Sequence, residues 1–324
     1  MASWLVGRLG AAIAIAFAVL TLTFFLIRLA PGDPFCGGRD RPEDRDICER
    51  YRAYWGLHRP LPVQYGLYLR SVAAGDLGWS WMQRRPVAHA LADFIPNTLL
   101  LAGAALCLDF LLGMAIGVYQ ALRRNRLVDV TLGQVTMFLY SVPTFWLGLA
   151  LLLVFSLWLD WFPYGGMRSP DLSSSAPWHI VALDVLWHLV LPAATMGLIG
   201  AAATARYQRA AMLEVLSQDY VRAARARGAG EVRVVLRHAL RNALLPLITV
   251  FGLAFPFLLT GAVLVETIFS WPGMGRLATD AIGARDYMLV TATVSVAGVM
   301  VALGTLLADV LYALADPRIR LRSP

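Results

Sequence analysis

The sequence predicts an all-α integral membrane protein with six transmembrane helices. Three observations carry that prediction. The 324-residue chain is 58% hydrophobic and 15% charged, with a mean hydropathy of +0.62. It is more apolar and less charged than a soluble domain of this length. It contains six apolar runs, each near the ~20 helical residues a bilayer requires. Its arginines fall unevenly on alternate connecting segments, as the charges of a polytopic protein do.

The runs are Leu9–Ile27, Asn97–Ala121, Thr131–Leu157, Val185–Ala205, Ala243–Val265 and Met288–Leu314. The first follows Arg8 and has the look of a signal peptide. Its apolar stretch is too long for a signal core, and "LAPGDP" is a poor cleavage site, so it reads as a retained anchor. The fourth is the weakest, because Pro192, Gly197 and Gly200 interrupt it. Such breakers are tolerated where neighbouring helices satisfy the freed backbone groups.

All 28 basic residues are Arg, a usage that reads as genome composition, and the net charge is +7. In a soluble chain that excess would suggest nucleic acid; here its distribution matters more. With the N-terminus inside, fifteen Arg lie on inner segments, and the two short outer loops hold Arg168, Arg276 and Arg285. The long segment 31–96 holds nine Arg and eight acidic residues. It weighs little, because long loops translocate largely regardless of charge. Both termini are therefore expected in the cytoplasm. The chain reads as one transmembrane domain, 1–324, with an outward cap at 31–96 and a cytoplasmic loop at 207–242.

Several chemistries lack their signature. The five His residues have no metal-ligand spacing, and there is no G-x-x-x-x-G-K-[ST] phosphate loop. No metal or cofactor site is expected in this chain, and energy must come from another subunit. Cys107 reads as packing. Cys36 and Cys48 lie in the polar outward loop, either as free thiols or, in an oxidising compartment, as a disulfide. Asp109 lies within the second run, where a carboxylate is a functional candidate or a helix-pairing group. Asp309, near the inner end of the last run, reads as a partner for a neighbouring helix.

The longest inner loop holds "DYVRAARARGAGEVRVVLRHALRNALLP", Asp219–Pro246. A short helix of strong helix formers ends at Gly228 and Gly230, and a second helix follows. One reading is a knob that docks into a groove on a partner. Ala223 and Ala224 would keep it slim, with Arg222, Arg225 and Arg227 at its rim. The other is a basic hairpin held on lipid headgroups. On the outer side, Glu266 and Asp286 flank a turn built on Trp271, Pro272 and Gly273. It reads either as a loop packed on the bundle mouth or as a gate or contact for a substrate-delivering protein.

The run Ala223-Ala224, Gly228 and His238-Ala239-Leu240 resembles the EAA loop of ABC-importer permeases. Arg222 stands where the general motif has Glu, and Arg241-Asn242 where it has Pro; both fit the peptide-importer branch. Ile27–Pro34 ("IRLAPGDP"), Gly75–Ser80 ("GDLGWS"), Ser141–Gly148 ("SVPTFWLG"), Glu266–Leu277 ("ETIFSWPGMGRL") and Asp316–Arg320 ("DPRIR") are similar to the same branch, in order. The chain thus resembles the first permease subunit of dipeptide, oligopeptide and nickel importers, the DppB/OppB type.

That resemblance implies a six-helix type I importer permease in a bacterial or archaeal plasma membrane. It implies Asp219, Tyr220, Arg222, Ala223, Ala224, Arg227 and Gly228 as the ATPase-coupling helix. It further implies a homologous second permease, two ATPase subunits holding ATP and Mg, and an extracytoplasmic binding protein. Peptides are the expected substrates, with nickel chelates or glycosides as the alternative. An ion-coupled secondary transporter would need a set of intramembrane carboxylates and broken repeats, and only Asp109 is central. A membrane enzyme would need a His pair or a nucleophile with its base at membrane depth, and neither is evident.

Overall fold

The computed structural model describes residues 2–29, 49, 58–173, 175–244, 247 and 262–315. Cys36, Cys48, most of the fifth expected run and Asp316–Arg320 lie outside the described residues. Among those described, four helices are long and apolar enough to cross a membrane, and a bent pair adds a fifth if it counts as one span.

The first is α1, Ala2–Leu29. After it come a shorter helix, α2, Leu61–Ala73, and a two-residue antiparallel pair, β1 (Trp79–Ser80) and β2 (Arg85–Pro86). The fold is therefore mostly rather than wholly helical. Helix α3 runs from Val87 to Leu122 with Pro96 inside it. It begins ten residues before the expected start at Asn97 and takes the end of segment 31–96 into the bundle.

The third expected run is not one straight span. Helix α4, Leu127–Ser141, meets α5, Thr144–Leu151, which continues as a π-helical turn, π1, Leu152–Trp158. The two arms are bent by 105°. Pro143 causes the break: it offers no N–H, and its ring drives Val142 into an extended backbone.

The fourth run, expected to be the weakest, is the longest helix. This is α6, Trp178–Leu216, which passes through Pro192 unbroken and is the most enclosed of the spans. Its glycines are contact points rather than breaks. A Cβ on Gly197 would lie 2.8 Å from the Leu108 side chain, and one on Gly200 would strike Asp109. From the other side, a Cβ on Gly113 would lie 2.6 Å from Thr204, and one on Gly117 would lie 2.5 Å from the Ala205 carbonyl. Gly113 and Gly117 form a G-x-x-x-G pair, the spacing that lets two membrane helices approach closely. Asp109 is buried and accepts a 2.6 Å hydrogen bond from the Thr204 hydroxyl. It is the helix-pairing group of this α3–α6 seam.

Beyond α6 come α7, Asp219–Ala226, and a second limb made of Glu231–Arg233, the π-helical Val234–Leu240 and Arg241–Ala243. A helical stretch over 262–268 leads to α8, Met274–Gly283, and α9, Tyr287–Ala315. Helix α1 packs on α9, where Arg8 pairs with Asp309 at 3.0 Å. Helix α2 ties both together: Tyr65 meets the Thr21 hydroxyl at 2.6 Å, and Tyr68 meets Ser295 at 3.2 Å.

Candidate functional site

At ~1.5 Å per residue, the 39 residues of α6 span roughly 58 Å. The two sequence-predicted regions lie at its opposite ends. Near its start, Leu189, Leu191, Val185 and Met196 share a core with Phe269 and Trp271. Near its end, Ala211 and Met212 share one with Val235, Ala239 and Ala243 of the second limb.

The turn at the first end is braced from within. Glu266 is wholly buried. Its carboxylate accepts the Thr98 hydroxyl at 2.7 Å and the backbone N–H groups of Gly275 at 2.7 Å and Arg276 at 3.0 Å. The two amides belong to the first turn of α8, where a negative group is favoured. Trp271 is also wholly buried, and its indole N–H donates to the Asn97 carbonyl at 3.0 Å. Asn97 in turn donates to the Pro272 carbonyl at 2.8 Å. A Cβ on Gly273 would collide with the Glu266 carboxylate, so glycine is needed there for close approach. Gly166 caps the turn from the α5–α6 loop by donating to the Phe269 carbonyl at 2.8 Å.

Asp286 makes the neighbouring brace. Its carboxylate accepts the Ser80 hydroxyl at 2.6 Å, the Met82 amide at 3.0 Å and the Leu289 amide at 3.1 Å. It thereby caps α9 and pins the "GDLGWS" hairpin to it. Glu266, Trp271, Gly273 and Asp286 are all buried. They build the turn; none of the four presents a side chain for another protein to touch.

The elbow at the other end has the opposite character. Helix α7 buries Val221 and Ala224 against Val234, with Val215, Leu216 and Ala229 around them. Ala224 therefore faces inward. Its spacing of three from Val221 places it on the packed side of the helix, so it does not slim the outer face as expected. Asp219, Tyr220, Arg222, Ala223, Arg225, Arg227 and Gly228 are exposed.

The helix is closed by Gly228 at φ +80, with its N–H on the Arg225 carbonyl and the Ala229 N–H on the Ala224 carbonyl. That is the left-handed glycine stop the sequence predicts. Arg222 pairs with Asp219 at 3.1 Å, and Arg225 with Glu231 at 2.8 Å. Asn242 donates to the Tyr220 hydroxyl at 2.6 Å and so joins the two limbs.

Sequence reasoning missed one pair near this end. Arg209 of α6 grips Asp129 of α4 with two hydrogen bonds, 2.8 and 2.7 Å. Eighty residues separate them, and neither belongs to a local motif. No cluster of three or more His, Cys, Asp or Glu side chains able to hold a metal occurs among the described residues.

The described residues form a helical bundle with candidate membrane spans, internally braced at one end and offering an exposed basic elbow at the other. Residues 113–321 match the family described as binding-protein-dependent transport system inner membrane component, and residues 1–102 match that component's N-terminal region. The chain belongs to this family. It is the permease subunit of a binding-protein-dependent ABC importer, a multi-pass inner-membrane transport component and not an enzyme.

Its relatives include the di/tripeptide transport system permease protein DppB of Pseudomonas aeruginosa, 43% identical over 99% of each chain. The oligopeptide transport system permease protein AppB of Bacillus subtilis is 38% identical over 98% of this chain and 99% of its own. The glutathione transport system permease protein GsiC of Escherichia coli is 38% identical over 99% of each.

Proposed function

We propose that this permease carries short peptides into the cell, and that residues 219–228 are the contact through which separate ATPase subunits drive it. The peptide reading is supported by the near full-length likeness to permeases named for dipeptides, tripeptides, oligopeptides and glutathione. Nickel chelates or glycosides are the alternative cargo. Identifying the ligands carried by the system's binding protein decides between them.

The single observation behind the coupling role is the two-faced elbow. Val221 and Ala224 lock α7 to its own second limb, while Asp219, Tyr220, Arg222, Ala223, Arg225 and Arg227 stay exposed on the other side. In the proposed assembly this chain pairs with a homologous second permease around a central path. Two ATPases hold ATP and Mg below it, and a binding protein delivers substrate from outside. As the ATPases close and separate, the elbow is pushed and pulled and the spans turn between outward and inward access. The Trp271–Gly273 turn and α8 would gate the outer mouth as one braced unit.

Ala223→Trp tests the contact, because Ala223 is exposed and its replacement leaves the elbow's packing alone. The variant should insert and melt like the parent while losing co-purification with the ATPases. Normal association would return the elbow to a basic hairpin on the membrane surface. Orientation, with both termini and the elbow in the cytoplasm, is checked by single cysteines in a background lacking Cys36, Cys48 and Cys107. Ser173→Cys should label from outside and Ser217→Cys from inside.

A further inference from the structure

We propose that the Asp129–Arg209 pair is a positioning clamp that makes the α3–α4 turn move with the elbow. The proposal rests on the coupling role argued above. Asp129 is buried, with a side-chain exposure of 5%, although it lies in the first turn of α4 beside an otherwise exposed connection. Two of its polar contacts fix that turn. Its carboxylate accepts the Asn125 amide at 3.0 Å, holding Asn125 in a left-handed backbone at φ +62. Its carbonyl accepts the Gln120 side-chain amide from the end of α3 at 3.2 Å.

Both carboxylate oxygens also bind the Arg209 fork, at 2.8 and 2.7 Å. A bidentate, charge-assisted pair resists both sliding and rotation. Arg209 lies about two helical turns before α6 ends, next to Ala211 and Met212, on which the elbow's second limb packs. The clamp therefore joins three elements at the place where the elbow enters the bundle.

The adjacent Gln208 does not share the task. Gln208 is wholly buried, and neither atom of its amide has a protein partner among the described residues. The seam between α3 and α6 already forms a close unit through Gly113 and Gly117. Helix α4 lacks such glycine contacts with α6; it packs against α6 with Arg206 over the Tyr140 ring at 5.7 Å, and the ion pair adds the bidentate link that fixes the α3–α4 turn to α6. Elbow motion can then reach α4 and, across the bend at Pro143, α5.

The test uses the assembled importer, with the second permease and both ATPases, in lipid. Spin labels are placed on exposed positions in two pairs. Val232→Cys with Ile282→Cys reads elbow motion relative to the opposite end of the bundle. Val232→Cys with Arg124→Cys reads the elbow against the clamped turn. Distances are measured without nucleotide and after trapping with ATP and vanadate.

In the parent, the 232–282 distance should change and the 232–124 distance should not. Asp129→Asn or Arg209→Gln should leave the 232–282 response in place while the 232–124 distance shifts or broadens. A merely structural role would lower yield or melting temperature but leave that distance fixed in the complexes that survive. The clamp is refuted if the parent's 232–124 distance changes along with the 232–282 distance, or if it stays fixed in the folded variants. Should Asp129→Asn fail to fold, Arg209→Gln still decides, since the Arg209 side chain is 34% exposed. If the parent's 232–282 distance shows no response, the elbow reading itself fails and the clamp with it.

Discussion

At one end of the bundle Glu266 has no solvent exposure and accepts three hydrogen bonds from its own chain. At the other, Arg222 keeps 70% of its side chain in solvent and, among the described residues, pairs with Asp219 and the Ser217 carbonyl. Both regions are polar islands in an apolar sequence, and the sequence marks both as candidate sites. The difference lies in which way the polar groups face. A buried, satisfied carboxylate shapes its own loop, and removing it leaves donors stranded. An exposed guanidinium on a helix already locked from behind is free to meet a partner.

The largest effect that comparison predicts is at the brace. Glu266→Ala strands the Thr98 hydroxyl and the amides of Gly275 and Arg276 inside the protein. An unsatisfied buried donor costs about 1–3 kcal/mol, so the three together should cost more than about 3 kcal/mol. Thermal unfolding in detergent should show a sharply lowered midpoint and poor yield. Glu266→Gln keeps one carbonyl acceptor but turns an NH2 toward N–H donors, and should fall between the two. A Glu266→Ala protein that melts like the parent would remove the brace and reopen a direct contact role for the carboxylate.

The next effect comes from two adjacent alanines. Ala224→Asp forces a carboxylate into the apolar contact with Val221 and Val234, a burial that costs several kcal/mol unless relieved. The elbow should open locally, and trypsin should cut faster after Arg222, Arg225 and Arg227. Ala223→Asp, one residue away on the exposed face, should stay within about 0.5 kcal/mol of the parent and keep the parent's cleavage rate. Equal cleavage in both variants would mean that α7 has no inner and outer face, and the contrast with the brace would collapse.

These cases also mark what could be read from residues alone. The elbow and its glycine stop were legible because helix formers and Gly228 act locally. The inward side of Ala224 was legible in principle from its spacing to Val221, but the alanine pair suggested a slim outer surface instead. The bend of the third run was signalled by "SVPTF", yet hydropathy averaged across it and returned one span. Pro192 and the glycines of α6 misled in the other direction. A membrane helix tolerates them when a neighbour fills the gap, and that neighbour, the G-x-x-x-G face of α3, lies far away in sequence. The Asp129–Arg209 clamp joins two unremarkable residues eighty positions apart, and only the packing of α4 on α6 brings them together.

The smallest effect separates two glycines of the elbow that have the same surroundings. A Cβ on either Gly228 or Gly230 would meet nothing within 4 Å, so crowding cannot distinguish them. Their backbones can: Gly228 stands at φ +80 and Gly230 at φ −61. A side chain in the left-handed region costs about 1 kcal/mol, whereas Ala at an ordinary φ gains slightly by restricting the unfolded chain. Gly230 precedes the second limb as its N-cap, where Ala gives back a few tenths of a kcal/mol, so its net change should be close to zero. Hydrogen exchange at the elbow amides reads this directly. Gly228→Ala should speed exchange of the Gly228 and Ala229 positions several-fold, because their bonds to the Arg225 and Ala224 carbonyls close the helix, while Gly230→Ala should leave those rates unchanged. If the two variants exchange alike, the helix is not held shut by the left-handed turn, and its rigidity must come from Val221 and Ala224 alone.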